Sequence, residues 1–489
     1  MHHSYHIFYF PFKWQNPRKK SDKFCDQTDL NTIKFDAFSN WVRSPGCQNK
    51  PEADELYNEK NYYYQFVHPT LYDTQDEETL LHHYERKELL EKSRNIVYKI
   101  SIKGKEYVLK ADGITLNLYS TGVGTLIFYL KNEQDDQKSE DDILKINQYG
   151  RRLFPPFIDD VANRYEIADS IAIEGLNGEQ SKYRDDFSTY TNKDDWKPAR
   201  FTQQLITDLA PELIIIPVID DRMFVNCWYG NEELANEIKN KNKESFDEYF
   251  AKKDFWYKYI YVDVSFPSCK NEELRDNLLQ KQTYKRWQKD GTIYGSSRYS
   301  FVMLSHNNDF CLNVLATYMR TVYSRMVELV LVQRASTLKF SEEITHVSKL
   351  SKTDKKDRRI ITRICSLYEE YIRFVNQVYF REVTTQDQGI ELYDLMMNTL
   401  NIHDQIKDLD GEMEELHKYA SFIEERERNR KADLLNLIAA VFLPAGIAAE
   451  LLGNTIFDEN QLPVWSILII IFAVMAGMYG LLQLIKKSR

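Results

Sequence analysis

Three short stretches carry the side chains best suited to holding an anion. "GRRLFPPF" sets Arg151 and Arg152 beside a rigid Phe-Pro-Pro-Phe turn. Paired guanidiniums suit bidentate phosphate contacts. "PVIDDR" closes an apolar run with Asp220, Asp221 and Arg222. Loops after strands commonly carry ligand contacts, and acids there can accept from ribose hydroxyls or an adenine amino group, or balance the charge of a cationic sulfonium. "YGSSRYS" offers Tyr294 for stacking, Ser296 and Ser297 as donors, and Arg298 as a further anion partner. Each stretch also has an ordinary explanation, since arginine pairs make salt bridges and Asp-Asp-Arg closes turns. No hydrolytic or nucleophilic constellation stands out. His82, His83 and His306 lack metal-ligand spacing, so the expectation is a protein without catalytic residues.

The elements that must position these groups change character along the 489 residues. Residues 1–305 alternate strand-like runs with loops and a few helices, which predicts an α+β domain. "YHIFYFPFKW" reads as a strand closed by Pro11, and "RNIVYKISIKGKEYVLKADGITLNLYSTGVGTLIFYL" as a meander with turns at Gly104 and Asp112-Gly113. "LIIIPVI", "YKYIYVDVSF" and "SRYSFVML" read as further strands, the first two buried. Residues 306–433 read as a helical stalk. From near Gly389, apolar or small residues recur in steps of three and four through Leu392, Ile402, Ile406, Leu409, Met413, Ala420 and Ile423. One helix of about 60 residues, about 90 Å long, is the expectation, stable only against other helices and so in an oligomer. The net charge of −10 weighs against a general nucleic-acid surface. The six cysteines are scattered and read as free thiols.

Residues 434–453 and 464–485 are each apolar over a length that crosses ~30 Å of hydrocarbon, and they predict a transmembrane hairpin (434–485). The loop between them, 454–463, carries Asp458 and Glu459 but no Lys or Arg. Basic residues precede the first span and fill the tail 486–489. The positive-inside rule then places both termini in the cytoplasm of a multi-pass inner-membrane protein. Within the first span, Asn429, Asn436, Leu443, Gly446, Glu450 and Gly453 fall on one stripe, mostly small or polar. A carboxylate at membrane depth needs water or a partner. The stripe therefore reads as a pore lining with Glu450 as an acidic ring; close helix packing fits the small residues equally well.

A stalk helix, a span containing "FLP", a Gly-centred motif, an acidic loop, a second span and a basic tail together resemble the CorA family of divalent-cation channels. That resemblance implies a homopentamer whose first span lines the pore and whose external loop gathers hydrated cations, here at Asp458 and Glu459. The family's Gly-Met-Asn lies nine residues after the proline. Nine residues after Pro444 this chain has Gly453-Asn454-Thr455, so Thr455 stands where the family's cation-selecting Asn would, and magnesium selectivity does not follow. The segments His3–Trp14, Gly150–Phe157, Ile214–Asn231 and Gly295–Val302 resemble a branch of CorA-like proteins encoded beside type III CRISPR systems. The branch implies an antiviral membrane effector: a cation channel opened by a nucleotide second messenger, an AMP conjugate of S-adenosylmethionine, with no direct nucleic-acid contact. The competing expectations are a constitutive magnesium or other divalent-cation transporter and a membrane-tethered nucleotide-processing enzyme.

Overall fold

The computed structural model describes residues 3–16, 28–33, 35–36, 39–46, 59–76, 79–90, 95–153, 167–176, 183–187, 199–219, 222–241, 254–353 and 357–455, with isolated positions up to 480. Its centre is a sheet with thirteen strands among the described residues. In chain order these are β1 (Ser4–Gln15), β2 (Trp41–Arg43), β3 (Leu81–Arg86), β4 (Val97–Ile102), β5 (Lys105–Tyr119), β6 (Val123–Asn132), β7 (Ser170–Glu174), β8 (Arg184–Asp186), β9 (Ile214–Pro217), β10 (Phe224–Gly230), β11 (Thr283–Tyr284), β12 (Ile293–Ser296) and β13 (Ser300–Ser305). The spatial order is β11-β12-β13-β10-β1-β6-β5-β4-β7-β8, with β9 on β1 and β3 joining β2 to β5. Among the described residues all strand pairings are antiparallel except β10 with β13.

β1 shows why the sheet is covered on both sides. Successive side chains of a strand point to opposite faces, and here both sets are apolar. Phe8, Phe10, Phe12 and Trp14 enter one core, while Tyr5, Ile7 and Tyr9 enter the other. Pro11 does not end the strand. It falls between Tyr9, the last residue paired to β10, and Phe12, the first paired to β9, where one flank has no partner and a missing N–H costs little. Nor do Asp112 and Gly113 make a turn: β5 runs through them with a bulge. The bulge presents Asp112 to Tyr5, Lys131 and Arg320, at 2.9, 2.7 and 2.7 Å. These two cations hold the carboxyl well below the ordinary carboxylate range, against the burial that would raise it.

The first core is roofed by α1 (Glu140–Gly150), α2 (Arg200–Leu209) and α3 (Asp254–Tyr261). Helix α1 starts on a capping box in which Ser139 and Asp142 satisfy one another's backbone N–H groups. Helix α3 contains the first half of the run expected as a buried strand. Its aromatic residues favour β structure locally, but Phe255, Trp256, Tyr259 and Ile260 recur at helical spacing and are all buried, so packing overrides propensity. β9 also departs from expectation, being short with Ile214 and Ile216 exposed.

Four long helices cover the other face: α4 (Val322–Thr353), α5 (Asp357–Gln377), α6 (Asp387–Thr399) and α7 (Ile402–Thr455). The expected continuous helix is two, because Asn401 takes a left-handed conformation (φ 54) between α6 and α7; asparagine tolerates that region better than most residues. Gly411 does not interrupt α7. The stripe from Leu392 to Ile423 is the buried face of α6 and α7. Helix α4 belongs to both halves of the molecule. Its first turns lie on the sheet, and further along Phe340 meets Tyr371 and Phe374 of α5.

The expected transmembrane hairpin is overturned, and with it the multi-pass inner-membrane location. Among the described residues no helix is long and apolar enough to cross a membrane. Helix α7 has the length, but charged turns supply much of it, running on to Lys431 and Asp433. Only its end is apolar, with Leu434, Leu435, Leu437, Ile438, Phe442 and Leu443 exposed. Asn429, Asn436, Gly446 and Glu450 are exposed alongside them. Gly453, Asn454 and Thr455 belong to the last turn of α7. Asp458, Glu459, most of 464–485 and the tail 486–489 lie outside the described residues.

Sheet and helices are joined by a buried ionic network. Glu328 of α4 accepts hydrogen bonds from Tyr119 at 2.9 Å, Thr125 at 2.7 Å and Asn117. Arg325 donates to the other carboxylate oxygen at 3.3 Å and also to the Gly46 carbonyl. Both side chains are almost wholly buried. Removing one partner of such a pair strands the other without water, at a cost of about 3–5 kcal/mol. Glu328→Ala should lower unfolding stability by that amount in urea titration; a midpoint close to wild type would show that the sheet and α4 do not depend on the network.

Candidate functional site

The three sequence stretches picked out for anion binding meet only in part. The chain leaving α1 at Arg151 and Arg152 lies antiparallel to the entry into β10: Met223 N donates to the Arg151 carbonyl at 2.8 Å, and Arg152 bridges Arg222. The β12–β13 turn reaches the same corner, with Val225 N donating to the Tyr299 carbonyl at 3.0 Å. The Tyr299 ring is the meeting point. The Arg222 guanidinium lies 5.1 Å from its centroid and that of Arg151 5.4 Å, both within cation–π range.

This corner is built to be rigid. Ser297 donates to the Ile260 carbonyl at the end of α3 at 2.6 Å, and Ser300 donates to the same carbonyl. Ser297 Oγ also accepts from Tyr299 N at 3.1 Å. The two serines thus pin the turn that carries Tyr299. Arg151 is 2% exposed and donates to Gln148 at 3.3 Å, so it acts on the corner through the tyrosine ring. Arg222 and Tyr299 are half-buried and face outward. What the arrangement can do is present delocalised positive charge, held in place by an aromatic ring, to an anionic ligand.

The other selected residues lie elsewhere. Tyr294 is fully buried on the opposite face of β12, packed against Phe301 and Tyr323, and is unavailable for stacking on a ligand. Ser296 shares that face by strand alternation, is 1% exposed, and its hydroxyl has no hydrogen-bond partner among the described residues. Arg298 is exposed; burial chiefly, and then the Arg298 charge, depress the pKa of Arg334 on α4. Asp220, Asp221 and the Phe-Pro-Pro-Phe run lie outside the described residues. Sequence reasoning quoted Tyr299 within "YGSSRYS" without choosing it, although an aromatic beside an arginine was the available signal. Among the described residues no group of three or more His, Cys, Asp or Glu is placed to hold a metal ion.

One further constellation looks chemical, and burial holds it neutral. Cys227 Sγ lies 3.4 Å from His6 Nδ1, which is 2.7 Å from Asn147 Oδ1. All three residues are buried between β1, β10 and α1. Burial pushes the thiol up to about 12 and the imidazole down to about 4, the reverse of what a thiolate–imidazolium pair requires. Ser4 Oγ lies 2.8 Å from Nε2 and completes the neutral ring's hydrogen bonds.

No protein-family model and no curated protein matches this chain.

The buried neutral His6 makes stability pH-dependent. Its folded pKa of about 4 lies below the ordinary 6.5, so between those values the unfolded chain takes up a proton that the folded chain refuses. Stability therefore falls as pH drops from 6.5 to 4. The loss from this one group is up to about 3 kcal/mol. His6→Gln should reduce the difference in urea midpoint between pH 7 and pH 4, and an unchanged difference would show that His6 titrates normally.

Proposed function

We propose that this chain is a nucleotide-messenger-responsive effector of antiviral defence, and that the corner formed by Arg151, Arg152, Arg222 and Tyr299 receives the phosphate of an S-adenosylmethionine–AMP conjugate. The observation that carries the reading is the convergence of three distant segments on one tyrosine ring, with Arg222 and Arg151 at 5.1 and 5.4 Å from it. Those segments belong to the stretches whose resemblance suggested a messenger-gated CRISPR-associated protein. A fourth, His3–Trp14, supplies β1, the strand beside β10.

In this reading Arg222 makes the phosphate contact, since it is half-buried where Arg151 and Arg152 are buried. Arg151 is a positioning residue that holds the ring from beneath. An adenine or ribose edge would then lie along the turn at Ser297–Tyr299. The response of the molecule passes through β13 and β10 into the sheet that α4 crosses. Ion conduction depended on the two spans and forms no part of the proposal.

The test is equilibrium binding of the radiolabelled conjugate to the purified full-length chain, with ATP and cyclic oligoadenylate as competitors. Selective binding is expected, weakened by about tenfold or more in Arg222→Ala, since each 1.4 kcal/mol lost is a factor of ten. Absence of binding to any of the three nucleotides, in protein that unfolds at the wild-type urea midpoint, would refute the proposal. Undiminished binding in Arg222→Ala would refute the site.

A further inference from the structure

On the opposite face of β12 and β13 from the arginine corner lies a cleft of about 610 Å³, between the β11–β12 connection and the start of α6. Its volume is within the range of small-ligand sites. Four aromatic rings line it, Tyr62, Trp287, Tyr318 and Tyr323, drawn from three separate stretches of chain. Two of these rings, Trp287 and Tyr323, are held by one amide. Gln388 accepts from Trp287 Nε1 at 2.8 Å and donates to Tyr323 at 2.8 Å and Tyr294 at 3.1 Å. A site whose rings are already hydrogen-bonded in place loses little freedom when a ligand enters.

The polar groups of the cleft fall into two sets. Arg286 is committed: it donates to Glu391 at 2.8 Å and to Asp387 at 3.5 Å, and Tyr284 donates to the same Glu391. A phosphate would have to displace those carboxylates, whereas an uncharged ligand leaves the ion pairs intact. Asn61 and Gln386 also line it. Their side chains are exposed and have no hydrogen-bond partner among the described residues. A free carboxamide offers a donor and an acceptor side by side, the pattern that matches the edge of a nucleobase. Aromatic faces supply the stacking, which is worth about 1–3 kcal/mol per base.

We propose that this cleft is a binding site for an uncharged nucleoside, with the base stacked among Tyr62, Trp287 and Tyr318 and its edge read by Asn61 and Gln386. The site is separate from the arginine corner and stands whether or not that corner binds a messenger. A nucleoside seated here braces the β11–β12 connection against α6, so it tightens the contact between the edge of the sheet and the helical layer.

The probe is adenosine, with guanosine and cytidine alongside, titrated into the full-length chain by calorimetry and by tryptophan fluorescence. Saturable binding of at least one nucleoside is expected, with quenching that is lost in Trp287→Phe. The double variant Asn61→Ala, Gln386→Ala, which removes only exposed side chains, should weaken binding by about tenfold, and Tyr318→Ala by at least as much. Arg222→Ala should leave nucleoside affinity unchanged, which separates this site from the messenger corner. No saturable binding at millimolar nucleoside overturns the proposal. Binding that is indifferent to the double variant, or abolished by Arg222→Ala, places the ligand elsewhere and overturns it as well.

Discussion

The contact between Glu328 and the sheet is the constraint on which the arrangement depends. A carboxylate buried among Asn117, Tyr119 and Thr125 must have all its hydrogen bonds made, because an unpaired charge there has no water to turn to. Arg325 balances the charge and reaches across to the Gly46 carbonyl. Together they fix α4 in register over β5 and β6, and α5 and α7 then pack against the far half of α4. Tyr9 and Tyr129 add hydrogen bonds to Ser324 one turn away. Apolar burial drives the layers together, and the polar network adds directional contacts that greasy surfaces lack.

A sheet buried on both faces confines chemistry to strand ends and edges. Inside the layers, groups that look reactive are held neutral, as Cys227 and His6 are. At the start of β10 and β13 the chain turns outward, and there Arg222 and Tyr299 emerge. At the β11–β12 edge the sheet stops short of covering α6, and the gap is the aromatic cleft. The two places lie on opposite faces of the same short pair of strands. Each is held by side-chain hydrogen bonds to an adjacent helix: Ser297 and Ser300 to the end of α3, and Trp287, Arg286 and Tyr284 to α6.

Parts of this were legible in the chain. The arginine and Tyr-Gly-Ser-Ser-Arg-Tyr-Ser stretches were visible as candidates, because guanidinium and aromatic groups announce their chemistry wherever they stand. Which of them share a site was not. Tyr294 and Tyr299 are five residues apart, yet one is sealed in the core and the other stands beside two arginines. Strand alternation and the turn between them decide that, and neither can be read without knowing where the turn falls. The cleft left no sequence signal, since Tyr62, Trp287, Tyr318 and Gln388 are brought together from across the chain.

The sequence by itself determined the local periodicities: the alternating aromatics of β1, the helical spacing from Leu392 to Ile423, and the change from strands to helices after residue 305. These depend on side-chain direction along a single element, which composition and spacing encode directly. The tertiary structure decided where the elements end and what they face. It made Asp112 a bulge instead of a turn, because three partners converge on its carboxylate. It made Phe255–Ile260 part of a helix, whose spacing buries Phe255, Trp256, Tyr259 and Ile260 together. It broke the long helix at Asn401, and it set the apolar end of α7 behind charged turns in place of the expected spans. An apolar run states only that water is unfavourable. The neighbours that replace the water belong to the rest of the fold.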